Sequence, residues 1–340
     1  MAAPGDVHAL VAVRAKDGET TALTAVTGTE QLGGVQVLIE HDPRASAGRQ
    51  HTNLVALTRH LGALGRPPMI DVADVVISGE VDGGPPRVLG DLVDELTDEL
   101  PPAFVPVVRG DASDAYAMFA GQLCGELGAG AALRVRPWPA DKTDLQRILD
   151  RLRLAPSEVD LVVDWRYLDR VDTHVTDSVL EVLERTASVA AFRSTTLLSG
   201  SVPLAMQKTA GWHEPRLEES LWQTVRDTGL SQVRFGDYGV AHPITAKGYR
   251  SHHVTVKYTC ASRWLYLRER MAGEQPRART LRALCNSLVA DDSFAGPDFS
   301  WGDSEIQAIT NGGGANLGNA STPIAIATSH HLAYLNGMTA

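Results

Sequence analysis

The sequence predicts a (β/α)8 TIM-like barrel with a C-terminal β-rich cap, and three observations predict it. Short β-branched or apolar runs alternate with stretches of helical periodicity, the runs recur at a steady spacing, and eight pass before the pattern changes. Six of them begin at residues 35, 68, 103, 131, 159 and 189, so successive starts lie 28 to 35 residues apart. That is the length of one βα unit. Runs at 8–14 and 232–238 complete the set. Strands apolar on both faces are buried on both, as in a parallel sheet covered by helices. An open Rossmann-like sheet is the rival architecture. It requires a glycine-rich turn after an early strand. The one glycine cluster, GGGANLGN at 312–319, lies far downstream and reads as a flexible loop.

The helices between the runs are legible as single apolar stripes. Tyr116, Phe119, Ala120, Leu123 and Leu127 form one, and Leu145, Ile148, Leu149 and Leu152 another. Val175, Val179, Val182 and Leu183 follow, then Leu217, Leu221 and Val225. A helix with one apolar stripe covers one face of a sheet. After residue 238 the pattern changes. HHVTVKYTC (252–260) and RWLYLRER (263–270) alternate around a tight break and read as a hairpin. A helix centred on Leu281, Leu284, Cys285 and Leu288 comes next, and PIAIAT and HHLAYL read as strand-like. The expected organisation is a barrel over 1–238 and a hairpin insertion of the cap over 239–277. The final barrel helix is then expected at 278–295 and a cap segment at 296–340.

Composition narrows the partners. A net charge of −10, spread along the chain, repels phosphate backbones, so non-specific nucleic-acid binding is not expected. No apolar run approaches the roughly 20 residues that span a bilayer. The N-terminal residues lack the basic-then-apolar pattern of a secretion signal, and Cys124, Cys260 and Cys285 share no paired spacing. The expectation is a cytoplasmic protein with reduced thiols.

In a parallel barrel, polar residues at the C-terminal strand ends converge on one pocket. Those ends read as Arg14, Glu40, Asp71, Arg109, Arg136, Asp164, Arg193 and Asp237. The arginines offer forks for phosphate or carboxylate, and the acids offer proton transfer or a divalent-metal seat. Glu40 and Asp164 are the leading catalytic candidates. Asp237, Asp303, His330 and His331 are expected to join them if the cap completes the site. Arg14, Arg109, Arg136 and Arg193 are the candidate ligand-binding residues, with Ser199 beside Gly200. A zinc site built on His252-His253 or His330-His331 needs three or four convergent ligands. Asp303 also fits a helix N-cap role before SEIQAI.

Several segments resemble the bacterial and phage-associated "beta protein" family, sometimes described as T4-beta-like. They are GETTAL (18–23), VLIE (37–40), VDLVVD (159–164), FRSTTLLSGSVP (192–203), FGDYGVAHP (235–243), the VKYT…WLYLR hairpin, FSWGD (299–303) and SHHL (329–332) after Gly318-Asn319. The family's Thr-Trp after Gly-Asn is replaced here by ASTPIAI. The resemblance implies a barrel-like fold and a link to mobile elements or phage defence, without a reaction.

Two functions are expected on this basis. One is an enzyme-like barrel, a hydrolase for instance, that binds a small anionic nucleotide or phosphoester beneath the cap. The other is a non-catalytic sensor or interaction subunit that engages a protein partner.

Overall fold

The computed structural model describes residues 7–75, 83–96, 104–136, 142–245, 251–271, 277–314 and 316–338. Eight parallel strands form a closed barrel: β1 (Ala9–Arg14), β2 (Val35–Glu40), β3 (Met69–Asp71), β4 (Val105–Arg109), β5 (Ala131–Val135), β6 (Val159–Tyr167), β7 (Ser194–Gly200) and β9 (Arg234–Asp237). They pair in that order, and β9 closes the ring on β1 through Ala9 opposite Phe235. The predicted barrel is therefore present. Its runs are apolar throughout because alternate side chains serve two cores. Leu10, Leu38, Val107, Val162 and Leu198 fill the lumen. Val11, Ile39, Val108, Val163 and Leu197 pack outward beneath the helices.

Among the described residues, seven helices follow or separate these strands: α1 (Asp17–Thr24), α2 (Ala47–Ala63), α3 (Gly84–Leu96), α4 (Asp114–Leu127), α5 (Lys142–Leu152), α6 (Thr173–Ala187) and α7 (Leu217–Asp227). The caps show why they start and stop there. Ser113 accepts from the Tyr116 amide to begin α4, and Gly128 ends it at φ 66°. Only glycine adopts that conformation without strain. Asp172 caps α6 through the Val175 amide.

The cap is built on the expected hairpin, β10 (His253–Cys260) with β11 (Arg263–Arg270), and on a third strand, β8 (Ala210–Pro215), paired to β11. The sequence does not announce β8. Its six residues, AGWHEP, are exposed or half-buried and show no apolar face. Opposite residues of an antiparallel pair share a face. Val256 with Leu267 and Tyr258 with Leu265 enter a second core formed with α8 (Arg277–Val289) and α9 (Trp301–Thr310). Trp264 and Tyr266 turn the other way, onto Val202 and Val240 above β7 and β9.

Two expectations about the last hundred residues are corrected. The helix expected to finish the barrel, α8, buries Leu281, Leu284, Cys285 and Leu288 in the cap core instead. The final barrel helix is α10 (Thr322–Asn336), in the segment read as strand-like. It packs on α1, β1 and β2, and Leu332 and Leu335 join the barrel core while Ile326 joins the cap core. A helix buried on both flanks loses its polar stripe, so PIAIAT and HHLAYL carry no helical period to read. Pro323 in its first turn is the surviving signal. Among the described residues, no helix is long and apolar enough to cross a membrane.

Candidate ligand-binding site at the barrel mouth

Alternation along each strand decides which strand-end residues reach the lumen. Counting from the lumen-facing Leu10, Leu38, Met69, Val107, Ala132 and Val162, the inward residues at the C-terminal ends are Arg14, Glu40, Asp71, Arg109, Arg134 and Asp164. Arg136 lies one inward step beyond Arg134. The sequence reading took Arg136 as the end of that strand and passed over Arg134. The structure puts Arg134 at the centre, with 1% of its surface exposed.

Each of the three nitrogens of Arg134 meets an acceptor. Nη1 meets Glu40 Oε1 and Asp71 Oδ2, both at 2.7 Å. Nε and Nη2 lie 3.1 and 2.9 Å from Asp164 Oδ2, and Nη2 donates to the Tyr238 hydroxyl at 2.8 Å. Tyr238 passes the network on, donating to Asp164 Oδ1 at 2.5 Å. Arg109 adds a second cation, with Nε 3.0 Å from Asp71 Oδ2 and Nη1 2.6 Å from Asp74 Oδ1. Its Nη2 is buried and meets no hydrogen-bond acceptor among the described residues. Arg136, its side chain 30% exposed, reaches Asp164 Oδ2 at 3.4 Å. Arg14 closes one side by donating to the carbonyls of His242 and Pro243 at 2.7 and 3.2 Å.

The charges follow from this packing. Burial alone would raise the Asp71 carboxyl, but Arg109 and Arg134 outweigh it and hold the group at about 2. Asp164 is likewise lowered, against burial, by Arg134, the Tyr238 hydroxyl and Arg136. Arg134 is depressed by burial yet driven well above its ordinary range by the anions around it. Asp71, Asp164 and Arg134 in the floor of the mouth are thus ionised at neutral pH. Among the described residues, no three His, Cys, Asp or Glu side chains converge as metal ligands. Glu40, Asp71 and Asp164 instead share one guanidinium, so the donor set does not fit a divalent cation.

A family model described as Beta protein matches residues 11–336. The chain belongs to the Beta protein family. The match runs from within β1 to the last residue of α10, so this family spans the barrel and cap together. No curated protein matches the chain.

Other candidate residues of this Beta protein family member lie away from the mouth. Asp237, two residues beyond the outward Phe235, shares its face and so points out of the lumen. It sits 3.0 Å from His331 Nε2 and 3.3 Å from Arg216 Nη2, between the barrel wall and α10. His331 also meets the Thr259 hydroxyl at 2.9 Å. Asp303 lies inside the cap, where Ser300 is the N-cap of α9. Its carboxylate accepts from Tyr258 and Ser300 at 2.6 Å each and lies 2.9 Å from His330 Nδ1. His330 Nε2 is 2.9 Å from the Thr259 carbonyl. Asp303 is therefore not the N-cap; Ser300, three residues earlier, takes that role. Adjacent residues on a helix diverge by about 100°, which sends His330 to the cap and His331 to the barrel wall.

Ser199 alternates with the inward Leu198 and is buried outside the lumen, opposite Asp237. Arg193 is corrected more sharply. The run read as beginning at 189 starts as a strand only at Ser194, so Arg193 sits at the N-terminal end of β7. There it grips Asp160, near the start of β6, at 3.0 and 2.7 Å.

Sequence reasoning also missed Lys257 and Glu19. Lys257, on the barrel-facing side of β10, donates to the Val240 carbonyl. Burial lowers its amine to about 8, against the pull of Glu19. Glu19 on α1 is raised by burial, and its Oε2 meets no hydrogen-bond partner among the described residues. Alternation in VTVKYTC could have flagged Lys257, since it falls on the face opposite Val254, Val256 and Tyr258.

Proposed function

We propose that this barrel is a recognition module that binds a small anionic ligand of the nucleotide or phosphoester class at its mouth. The observation that carries this reading is the Arg109 fork. Two of its nitrogens are fixed by Asp71 and Asp74, and the third is buried without an acceptor among the described residues. A buried donor left unmet costs on the order of 1–3 kcal/mol, which a bound anion returns as a charge-assisted hydrogen bond. Arg136, partly exposed beside Asp164, supplies the second cation. Glu40 and Asp164 are counter-charges in this reading rather than acid and base. A general base works best with a pKa near the operating pH, and Asp164 is held far below. A sensor or interaction subunit, in a phage-related or defence assembly, is the role such a barrel fills.

Titration calorimetry with ATP, ADP and pyrophosphate tests the proposal. Saturable binding is expected, weakened about 10- to 100-fold in Arg109→Gln, the equivalent of one or two charge-assisted hydrogen bonds. Arg136→Gln, a change at a partly exposed side chain that leaves the Arg134 ion pairs in place, should weaken it too. The ligand should be recovered chemically unaltered. Absence of binding across the panel, or binding indifferent to both variants, refutes the assignment. Turnover abolished by Glu40→Gln or Asp164→Asn in a folded protein transfers the case to the catalytic reading.

A further inference from the structure

The cap sheet ends on an open edge. Its strand order is β10–β11–β8, so β8 pairs on one side only, with β11. Arg216 N–H donates to the Ser262 carbonyl at 2.9 Å, which fixes the phase of that pairing. Opposite residues of an antiparallel pair exchange hydrogen bonds at every second position, here Glu214 with Trp264, Trp212 with Tyr266 and Ala210 with Arg268. The far edge of β11 agrees. Met271 N–H donates to the His252 carbonyl at 2.8 Å, which turns Leu265 and Leu267 toward β10. Gly211 and His213 therefore point N–H and C=O away from the sheet. Both are exposed, and these backbone groups meet no partner among the described residues. Pro215, the next outward position, has no N–H and closes the edge there.

A cleft of about 550 Å³ lies between β8 and the loops that leave β6 and β7. Trp212 and Glu214 enter it from the strand, Leu168 and Met206 give apolar wall, and Tyr167 adds a second aromatic ring. Directly opposite residues of paired strands share a face. A fourth strand laid along Gly211 and His213 would thus send the side chain beside Trp212 into this cleft. An open edge next to a side-chain pocket is the arrangement by which sheets bind extended peptides.

Charge selects the side chain. The wall at Trp212 already holds a cation: Lys208 Nζ lies 5.9 Å from its ring centroid and 2.7 Å from Glu214 Oε1. The wall at Tyr167 repeats the pattern without one. Tyr167 is 37% exposed, and Asp169 beside it forms no ion pair among the described residues. Arg170, the other cation of the lining, is taken by Asp172 at 2.8 Å. Cations are attracted to aromatic faces, and guanidinium stacks on them. The net charge of −10 steers basic partners in the same sense. A second copy of the chain answers less well, since it carries the same net charge and its β8, AGWHEP, has no lysine or arginine. We infer that the β8 edge docks an extended segment of a basic partner protein, which adds a strand along Gly211 and His213 and lays an arginine or lysine against Tyr167 and Asp169. This surface is separate from the mouth, and the two are independently testable.

Fluorescence anisotropy of a fluorescein-labelled peptide of four Thr-Arg repeats, titrated with the full chain, is the direct experiment. Saturable binding is expected, about tenfold tighter than for two controls. One is the Thr-Glu counterpart. The other is the Thr-Arg peptide N-methylated throughout, which keeps the charge but cannot donate along either edge. His213→Pro removes one outward N–H, a change that edge strands tolerate, and should weaken binding about fivefold. Asp169→Asn, at an exposed side chain, should weaken it about threefold and serves if the proline disturbs the strand. Arg136→Gln, at the mouth, should leave it unchanged. No saturation by about 1 mM overturns the inference. So does equal binding of the N-methylated peptide, which would reduce the contact to charge alone, or binding indifferent to both edge variants. A dimer in sedimentation equilibrium that His213→Pro dissolves, without peptide binding, would make the occupant a second copy and overturn it too.

Discussion

A guanidinium in a dry site is stable only if its donors find acceptors and its charge finds anions. Arg134 meets both conditions within one side chain's reach, and the consequence falls on its partners. Asp71, 0% exposed, answers Arg134 and Arg109 together. Asp71→Asn keeps the shape and removes the charge, leaving two buried cations under-compensated. A loss of about 3–5 kcal/mol is expected from breaking such a buried pair, measured by urea unfolding at pH 7. The pH dependence has a definite sign. The carboxyl is lowered from 3.8 to about 2, so its contribution is present above pH 3.8 and is lost as pH falls toward 2. The parent protein should lose stability across that window, and Asp71→Asn should lose less. Equal acid sensitivity in the two proteins would exclude Asp71 as a source of it. At this scale the sequence was half legible. Strand-end position identified Arg14, Glu40, Asp71, Arg109 and Asp164 as mouth residues. Depth along the barrel axis was not legible, because Arg134 and Arg136 share one parity and differ only in how far the strand runs.

Elements were legible wherever burial left a readable pattern. The amphipathic helices, with one face on a core and one on solvent, and the eight barrel strands, buried on both faces as short apolar runs, leave one in the sequence. Two elements do not. β8 is an edge strand with little to bury, and α10 is buried between two cores, so each lacks the contrast that marks a strand or a helix. Pairing with β11 makes the first a strand, and contact with both cores makes the second a helix. The close seat of α10 on the cap depends on Gly302 in α9, where a Cβ would lie 2.1 Å from the Ile326 carbonyl oxygen. Backbone cannot move aside as a flexible side chain can. Gly302→Ala should therefore push α9 off α10 and cost roughly 1–3 kcal/mol, the usual penalty of overpacking. Thermal unfolding followed by circular dichroism reads this directly. A variant as stable as the parent would mean that the two helices are not in this contact.

At the scale of the whole molecule, barrel and cap share parts that neither can complete alone. The chain leaves the barrel after β9, builds the cap, and returns as α10 to cover β1. Arg216, with 0% exposure, stands where these pieces meet. It follows β8 of the cap sheet, and its Nη2 reaches Asp237 on the barrel wall at 3.3 Å. Nη1 and Nε meet Glu219 and Glu218 at the start of α7 at 2.6 and 3.3 Å. Its guanidinium also lies over the rings of Trp264 from the cap, Phe235 from the barrel and Tyr334 from α10. One cation at the end of a cap strand thus holds three buried carboxylates of the barrel. Cap and barrel are accordingly expected to unfold as a single unit. Native-state hydrogen exchange should give amides of the β10–β11 pair and of β1 the same opening free energy, near the global value. Arg216→Ala strands the three carboxylates, so both sets should fall together, by about 3–5 kcal/mol. If the hairpin amides opened first while β1 kept its protection, the cap would be a separate body and Arg216 only a local contact.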